Sequence, residues 1–154
     1  MHRCFFDNKI AVGCNVFLEE NEVRHVLHLQ KGNSIEVCND SGWVYTGRIL
    51  QAGKSEVSVL INGERESRSE PKTEAWLFRG LSKGTKMDFS IQKSVELGAC
   101  GIVPVETDFS VVKISKNQRW RKIVWEAAKQ CKRAVVPEVL PHAFLESSSK
   151  AAYV

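Results

Sequence analysis

Polar side chains with chemical promise gather in two stretches of helical spacing. In KGTKMDFSIQKSVELG, Gln92 and Glu96 stand one turn apart, and Lys83 and Lys86 flank Gly84 just ahead of the helix. A glycine between two lysines at a helix start suits a phosphate, because free backbone N–H groups and cationic side chains converge there. In NQRWRKIVWEAAKQCKR, Arg119, Glu126, Gln130 and Arg133 recur at steps that place them on one helix face. Trp120, Ile123, Val124, Ala127, Ala128 and Cys131 form the opposite, apolar stripe, which leaves the polar face to a ligand or simply to water.

Other chemistries find less support. There is no Gly-x-x-x-x-Gly-Lys-Ser/Thr loop for a nucleoside triphosphate and no Gly-x-Ser-x-Gly elbow for a nucleophilic serine. His25 and His28 are three apart without a third ligand placed to complete a site, so no metal is expected. The five cysteines, Cys4, Cys14, Cys38, Cys100 and Cys131, are scattered and odd in number, which argues against a disulfide framework or a zinc site. Cys100 and Cys131 sit among apolar neighbours and read as packing residues, not as thiolate nucleophiles.

Net charge suits a polyanionic partner but alone decides little, and its distribution says more. The 154 residues carry a formal net charge of +4. Between Lys113 and Arg133 the basic residues Lys113, Lys116, Arg119, Arg121, Lys122, Lys129, Lys132 and Arg133 face the single acid Glu126, a candidate phosphate-contacting surface. No run approaches the roughly 18 apolar residues of a membrane span, and MHRCFFDNKIAVG lacks a signal-peptide core, so the cytoplasm is the expected location.

The elements that position these residues divide in two. Up to Gly63 the sequence alternates in short strands, HRCFF, SIEVCN, WVYTGRIL and SEVSVLI, in the manner of a small β-barrel. Val23, Val26 and Leu27, with Leu29 as a further candidate, fall on helical spacing between Glu19 and Gln30, which predicts one short helix beside the strands. Residues 64–73, dense in charge and broken by Pro71, read as a linker.

Residues 74–154 then follow a βαβα order, with strand AWLFRGL, helix MDFSIQKSVELG, strand GIVPVE and helix NQRWRKIVWEAAKQCKR, as expected for a parallel sheet. Thr85 with Asp88, and Ser115 with Gln118, have the spacing of amino-terminal caps, and Gly98 suits a carboxyl cap. Two strands leave an open sheet half covered, and no further strands are expected after Pro137.

MHRCFF, RHVLHLQKGNSIEVCNDSGWVYTGRI, KGTKMDFSIQKSVELGACGIVPV and RWRKIVWEAAKQCKRAVVPEV together resemble successive signatures of the ribosomal RNA small subunit methyltransferase E family. The most specific parts are QKSVELG and EAAKQCKR. The resemblance implies a mixed α+β and α/β fold: an amino-terminal PUA-like RNA-binding β-barrel over residues 1–63, then the first half of a SPOUT-type α/β domain over residues 74–154. It also implies a homodimeric enzyme that uses S-adenosylmethionine to methylate N3 of a uridine in 16S ribosomal RNA, on the free RNA or the small ribosomal subunit. Removal of the N3 proton, and stabilisation of the charge developing on the uracil carbonyls, would fall to groups in the site.

By the same resemblance, Glu96, Gln130 and Arg133 are catalytic candidates. Lys83, Lys86, Gln92, Lys93, Arg119 and Glu126, with Arg3, His25 and Lys31 in the barrel, are candidates for RNA contact. His28 and Phe109 stand where family members usually carry arginine. Nothing matches the family's Gly-Pro-Glu-Gly-Gly stretch or the later segments that form its trefoil knot and cofactor pocket. The expectation is therefore a chain truncated before the knot, inactive by itself, with its cofactor-binding residues elsewhere. A noncatalytic RNA-binding module and an interaction protein remain as alternatives.

Overall fold

The computed structural model describes residues 2–19, 28–53, 55–111 and 117–145, and these divide into two compact units. Unit 1 comprises Met1–Glu70 together with Lys132–Val135, and unit 2 comprises Pro71–Cys131 with Val136–Val154.

Unit 1 is built from five strands: β1 (His2–Phe5), β2 (Asn15–Glu19), β3 (Ser34–Cys38), β4 (Trp43–Ala52) and β5 (Glu56–Glu66). They form one sheet in the order β1-β3-β4-β5-β2, with β1 parallel to β3 and the remaining pairs antiparallel. Period-two alternation sets its inner face: Val16 and Leu18 of β2 oppose Val57 and Val59 of β5, and with Ile35, Val37, Ile49 and Ile61 they close the core. The β4–β5 ladder shifts register at Thr46/Gly47 and at Ile49/Gln51. Such irregularities bend and twist a strand pair.

β5 runs past Gly63 through Glu66, pairing Tyr45 with Glu64 and Trp43 with Glu66, so part of the stretch expected as linker is strand. Backbone pairing holds these charged residues extended while their side chains remain in water. β2 was not foreseen in the sequence pattern. Most of the helix expected between Glu19 and Gln30 lies outside the described residues.

Unit 2 contains β6 (Trp76–Gly80), α1 (Lys86–Glu96), β7 (Gly101–Thr107), α2 (Asn117–Gln130), β8 (Glu138–Val139) and β9 (Ala143–Leu145). The βαβα order holds, and the sheet is parallel throughout: β7 pairs with β6, β8 and β9. The last two strands correct the expectation that none follows Pro137. At two and three residues they are too short to show a period, and their pairing with β7 defines them.

α1 buries Met87, Ile91 and Val95, and α2 buries Trp120, Val124, Ala127 and Ala128. Gly98, at φ +97°, takes the left-handed conformation that ends α1, as its sequence position suggests. Thr85 occupies the amino-terminal cap without a side-chain bond to the helix, and Asp88 is drawn to Arg119 of α2 instead. The expected cap at Ser115 lies outside the described residues. Among the described residues no helix is long and apolar enough to cross a membrane.

Candidate functional site

α2 ends at Gln130, three residues short of the expected limit at Arg133, because Lys132 turns left-handed at φ +58°. This removes Arg133 from the helix face shared by Arg119, Glu126 and Gln130. Arg133 instead belongs to unit 1, where it is 4% exposed. Its Nε and Nη2 donate to Glu70 Oε2 at 3.0 and 2.7 Å, while Glu70 Oε1 accepts from the backbone N–H groups of Ala134 and Val135 at 2.9 and 3.2 Å. One carboxylate thus fixes both the side chain and the backbone of the Lys132–Val135 segment.

Arg3 is treated similarly. It is buried, its Nε and Nη2 donate to Glu36 Oε2 at 3.1 and 2.8 Å, and its Nη1 donates to the carbonyl of Lys132. Arg65 completes the group by donating to Glu36 Oε1 at 2.9 Å. Burial pushes the Glu36 carboxyl up, but the two guanidinium groups outweigh it and hold Glu36 below the usual carboxylate value. Arg3 and Arg133 both bond to carboxylates within unit 1, and the expected placement of Arg133 on the α2 face is corrected. Glu36, Arg65 and Glu70 escaped the sequence pattern because their partners lie far away along the chain.

Other candidates keep an outward position. On α1, Glu96 accepts from Gln92 Nε2 at 3.0 Å and from Lys93 Nζ at 2.6 Å. The Lys93 bond draws the Glu96 carboxyl below its ordinary value. Lys93 also lies 5.8 Å from the centre of the Phe89 ring. Gln92, Lys93 and Glu96 thus form one bonded group on the helix surface. Lys83 and Lys86 are exposed around the start of α1.

On α2, Arg119 pairs with Asp88, Glu126 lies 3.7 Å from Lys129, and Gln130 is exposed. Arg121 and Lys122 are also exposed on α2 and Lys132 is exposed in unit 1, whereas Lys113 and Lys116 lie outside the described residues. In unit 1, His28 and Lys31 line one open depression with Leu29, Gln30 and Ala52. His25 lies outside the described residues, and Phe109 is largely exposed.

Among the described residues, no group of three His, Cys, Asp or Glu side chains is placed to hold a metal ion. Cys38 is buried, and burial raises its thiol to about 11, which keeps it protonated and unreactive at neutral pH.

Comparison with known proteins gives these features a family. A family model described as RNA methyltransferase domain matches residues 68–152. The ribosomal RNA small subunit methyltransferase E of Bacillus subtilis (strain 168) is 32% identical over 133 residues, covering 82% of this chain and 52% of the relative. The crystal structure of a ribosomal RNA small subunit methyltransferase E from Neisseria gonorrhoeae bound to S-adenosyl methionine aligns at a TM-score of 0.84 with 33% identity, over 92% of this chain and 62% of that one. A Legionella pneumophila protein described as a putative methyltransferase in complex with the same cofactor aligns at a TM-score of 0.85 with 28% identity. The chain spans about half the length of the curated relatives it matches. On the family match and these likenesses, the chain belongs to the RNA methyltransferase family, in the group of the ribosomal RNA small subunit methyltransferase E proteins.

Proposed function

We propose that this chain forms the RNA-facing part of an S-adenosylmethionine-dependent methyltransferase that modifies N3 of a uridine in 16S ribosomal RNA. The observation that carries the reading is the likeness, across both units, to the cofactor-bound Neisseria gonorrhoeae structure. In this reading unit 1 is a PUA-like RNA-binding domain, unit 2 is the first half of a SPOUT-type catalytic domain, and the working enzyme is a cytoplasmic homodimer acting on ribosomal RNA or the small subunit.

The cofactor supplies an electrophilic methyl group when bound. Arg133 is bonded to Glu70, and Glu96 to Lys93 and Gln92, so neither side chain is assigned to the cofactor. In this reading the pocket belongs to the part of the relatives that this chain does not match. What this chain contributes is RNA binding and orientation: Lys31 beside His28 in unit 1, Lys83 and Lys86 before α1, and Arg119 on α2. Their cationic heads neutralise phosphates, which supplies affinity independent of base sequence. Gln92, Lys93, Glu126 and Gln130 are proposed to face the same substrate, with Glu96 and Gln130 nearest the chemistry.

An RNA-binding module without turnover is a second reading, favoured by one observation. Two of the three catalytic candidates, Arg133 and Glu96, are already bonded within the chain.

Titration with S-adenosylmethionine separates the two. The chain is compared with a chimera carrying the carboxyl-terminal part of the Bacillus subtilis relative. Binding and methyl transfer to 16S ribosomal RNA by the chimera alone is the expected result. An RNA-binding chimera that transfers no methyl group would support the module, and cofactor binding by the chain alone would overturn the assignment of the pocket.

A further inference from the structure

Unit 2 contains a polar cluster at the carboxyl edge of its parallel sheet that the proposed function does not use. The register pairs Arg79 of β6 with Pro104 of β7, and beyond it Leu81 N–H donates to the Val105 carbonyl at 2.8 Å. β9 enters at the same level, pairing Ala143 with Val105 and Phe144 with Glu106. Arg79 and Ser82 at the end of β6, Glu106 near the end of β7 and His142 just before β9 thus lie along one edge of the sheet, the edge at which parallel α/β sheets commonly bind ligands.

Two atoms of this cluster call for an acceptor. Arg79 Nε and Ser82 Oγ are shielded from solvent, and neither has a hydrogen-bond partner among the described residues. Buried donors are almost always satisfied in folded proteins, and leaving an arginine donor unpaired is especially unfavourable. The neighbouring carboxylate does not meet the need: Glu106 Oε2 lies toward His142 Nε2, at 3.8 Å. Exposed Lys83 follows Ser82 and exposed Lys86 opens α1, and the Thr85 side chain makes no bond to the helix it caps.

We infer that Arg79 and Ser82 bind a phosphate group at this edge. A phosphate presents several acceptor oxygens, so it can take the Arg79 N–H and the Ser82 O–H together while its charge is met by Lys83 and Lys86. Resting on the proposed function, the accepting group is a backbone phosphate of the RNA substrate; a free phosphate-bearing small molecule has the same chemistry.

The test uses two probes. Inorganic phosphate is titrated into the full chain while its melting temperature is followed, and a labelled oligouridylate is titrated at several salt concentrations. The variants are Arg79→Met and Ser82→Ala, with Lys72→Met, an exposed cation outside the cluster, as the control. Phosphate is expected to raise the melting temperature of the unmodified chain and of Lys72→Met by about 2–4 °C. It is expected to leave both cluster variants unmoved. In RNA binding, Arg79→Met is expected to weaken affinity about fivefold and to lower the salt slope by about one. Ser82→Ala should weaken binding without changing the slope, which keeps the inference testable if Arg79→Met does not fold. An equal phosphate shift in the variants, or none in the unmodified chain, overturns the site. A phosphate shift that depends on Arg79 in a chain that does not bind the oligouridylate supports the site and overturns RNA as its source.

Discussion

The Glu70 carboxylate grips the Arg133 guanidinium at 2.7 and 3.0 Å across a sequence separation of 63. With Oε1 occupied by the N–H groups of Ala134 and Val135, the pair ties the segment after α2 into unit 1. Arg133 is buried and Glu70 partly so, and removing one member of such a pair leaves the other charge uncompensated, whereas an exposed pair contributes little. Glu70→Gln and Arg133→Met are each expected to lower the stability of the chain by about 3 kcal/mol. Urea unfolding checks this: a change below about 1 kcal/mol would mean that water replaces the bond. Arg133 substitutions thus act on stability before they act on any chemistry.

Glu36 makes the stability of the chain sensitive to acid. Its folded-state value is lowered because Arg3 and Arg65 together outweigh the effect of burial. The stabilisation from Glu36 is therefore fully present above its unfolded value, near 4.5, and is lost as the pH falls through its folded value. Denaturant unfolding between about pH 3 and about pH 6 should show an acid limb that flattens in Glu36→Gln. The variant will also be less stable at neutral pH, since both arginines lose their carboxylate. An unchanged acid limb would assign the acid sensitivity to other carboxylates.

The elements easiest to read in the sequence were those with a sustained period. Val57, Val59 and Ile61 announce β5 by alternation, and Met87, Ile91 and Val95 announce α1 by helical spacing. The period misled at Arg133, which continues the α2 spacing in sequence, while the left-handed Lys132 stops the helix before it. Pairing between distant segments left no local trace. Arg3 and Glu36 are separated by 33 positions, and β9 exists through its ladder with β7. The lysines near α1 were legible as a candidate site because they cluster. Arg79 and Ser82 were not, because what marks them is burial of their polar atoms without a partner, which the sequence does not display.

Two glycines of the unit 1 sheet should respond oppositely to the same substitution. A Cβ on Gly47 would lie 2.5 Å from a methyl of Val59, 3.1 Å from the Leu60 carbonyl oxygen and 3.2 Å from Ile61. Val59 and Ile61 are fully buried core residues, so neither can swing into solvent, and the register shift at Thr46/Gly47 leaves the strand pair close at this point. Overpacking of this kind lowers stability by about 1–3 kcal/mol. At Gly63, the register partner of Thr46, a Cβ meets nothing within 4 Å. Its backbone is not in the left-handed region, so alanine there narrows the unfolded ensemble at no steric expense, a gain of about 0.5 kcal/mol. Gly47→Ala should therefore lower the urea midpoint while Gly63→Ala raises it or leaves it in place. If Gly47→Ala were also neutral, β4 and β5 would have to separate easily at the register shift, and the tight approach there would not be a constraint on the sequence.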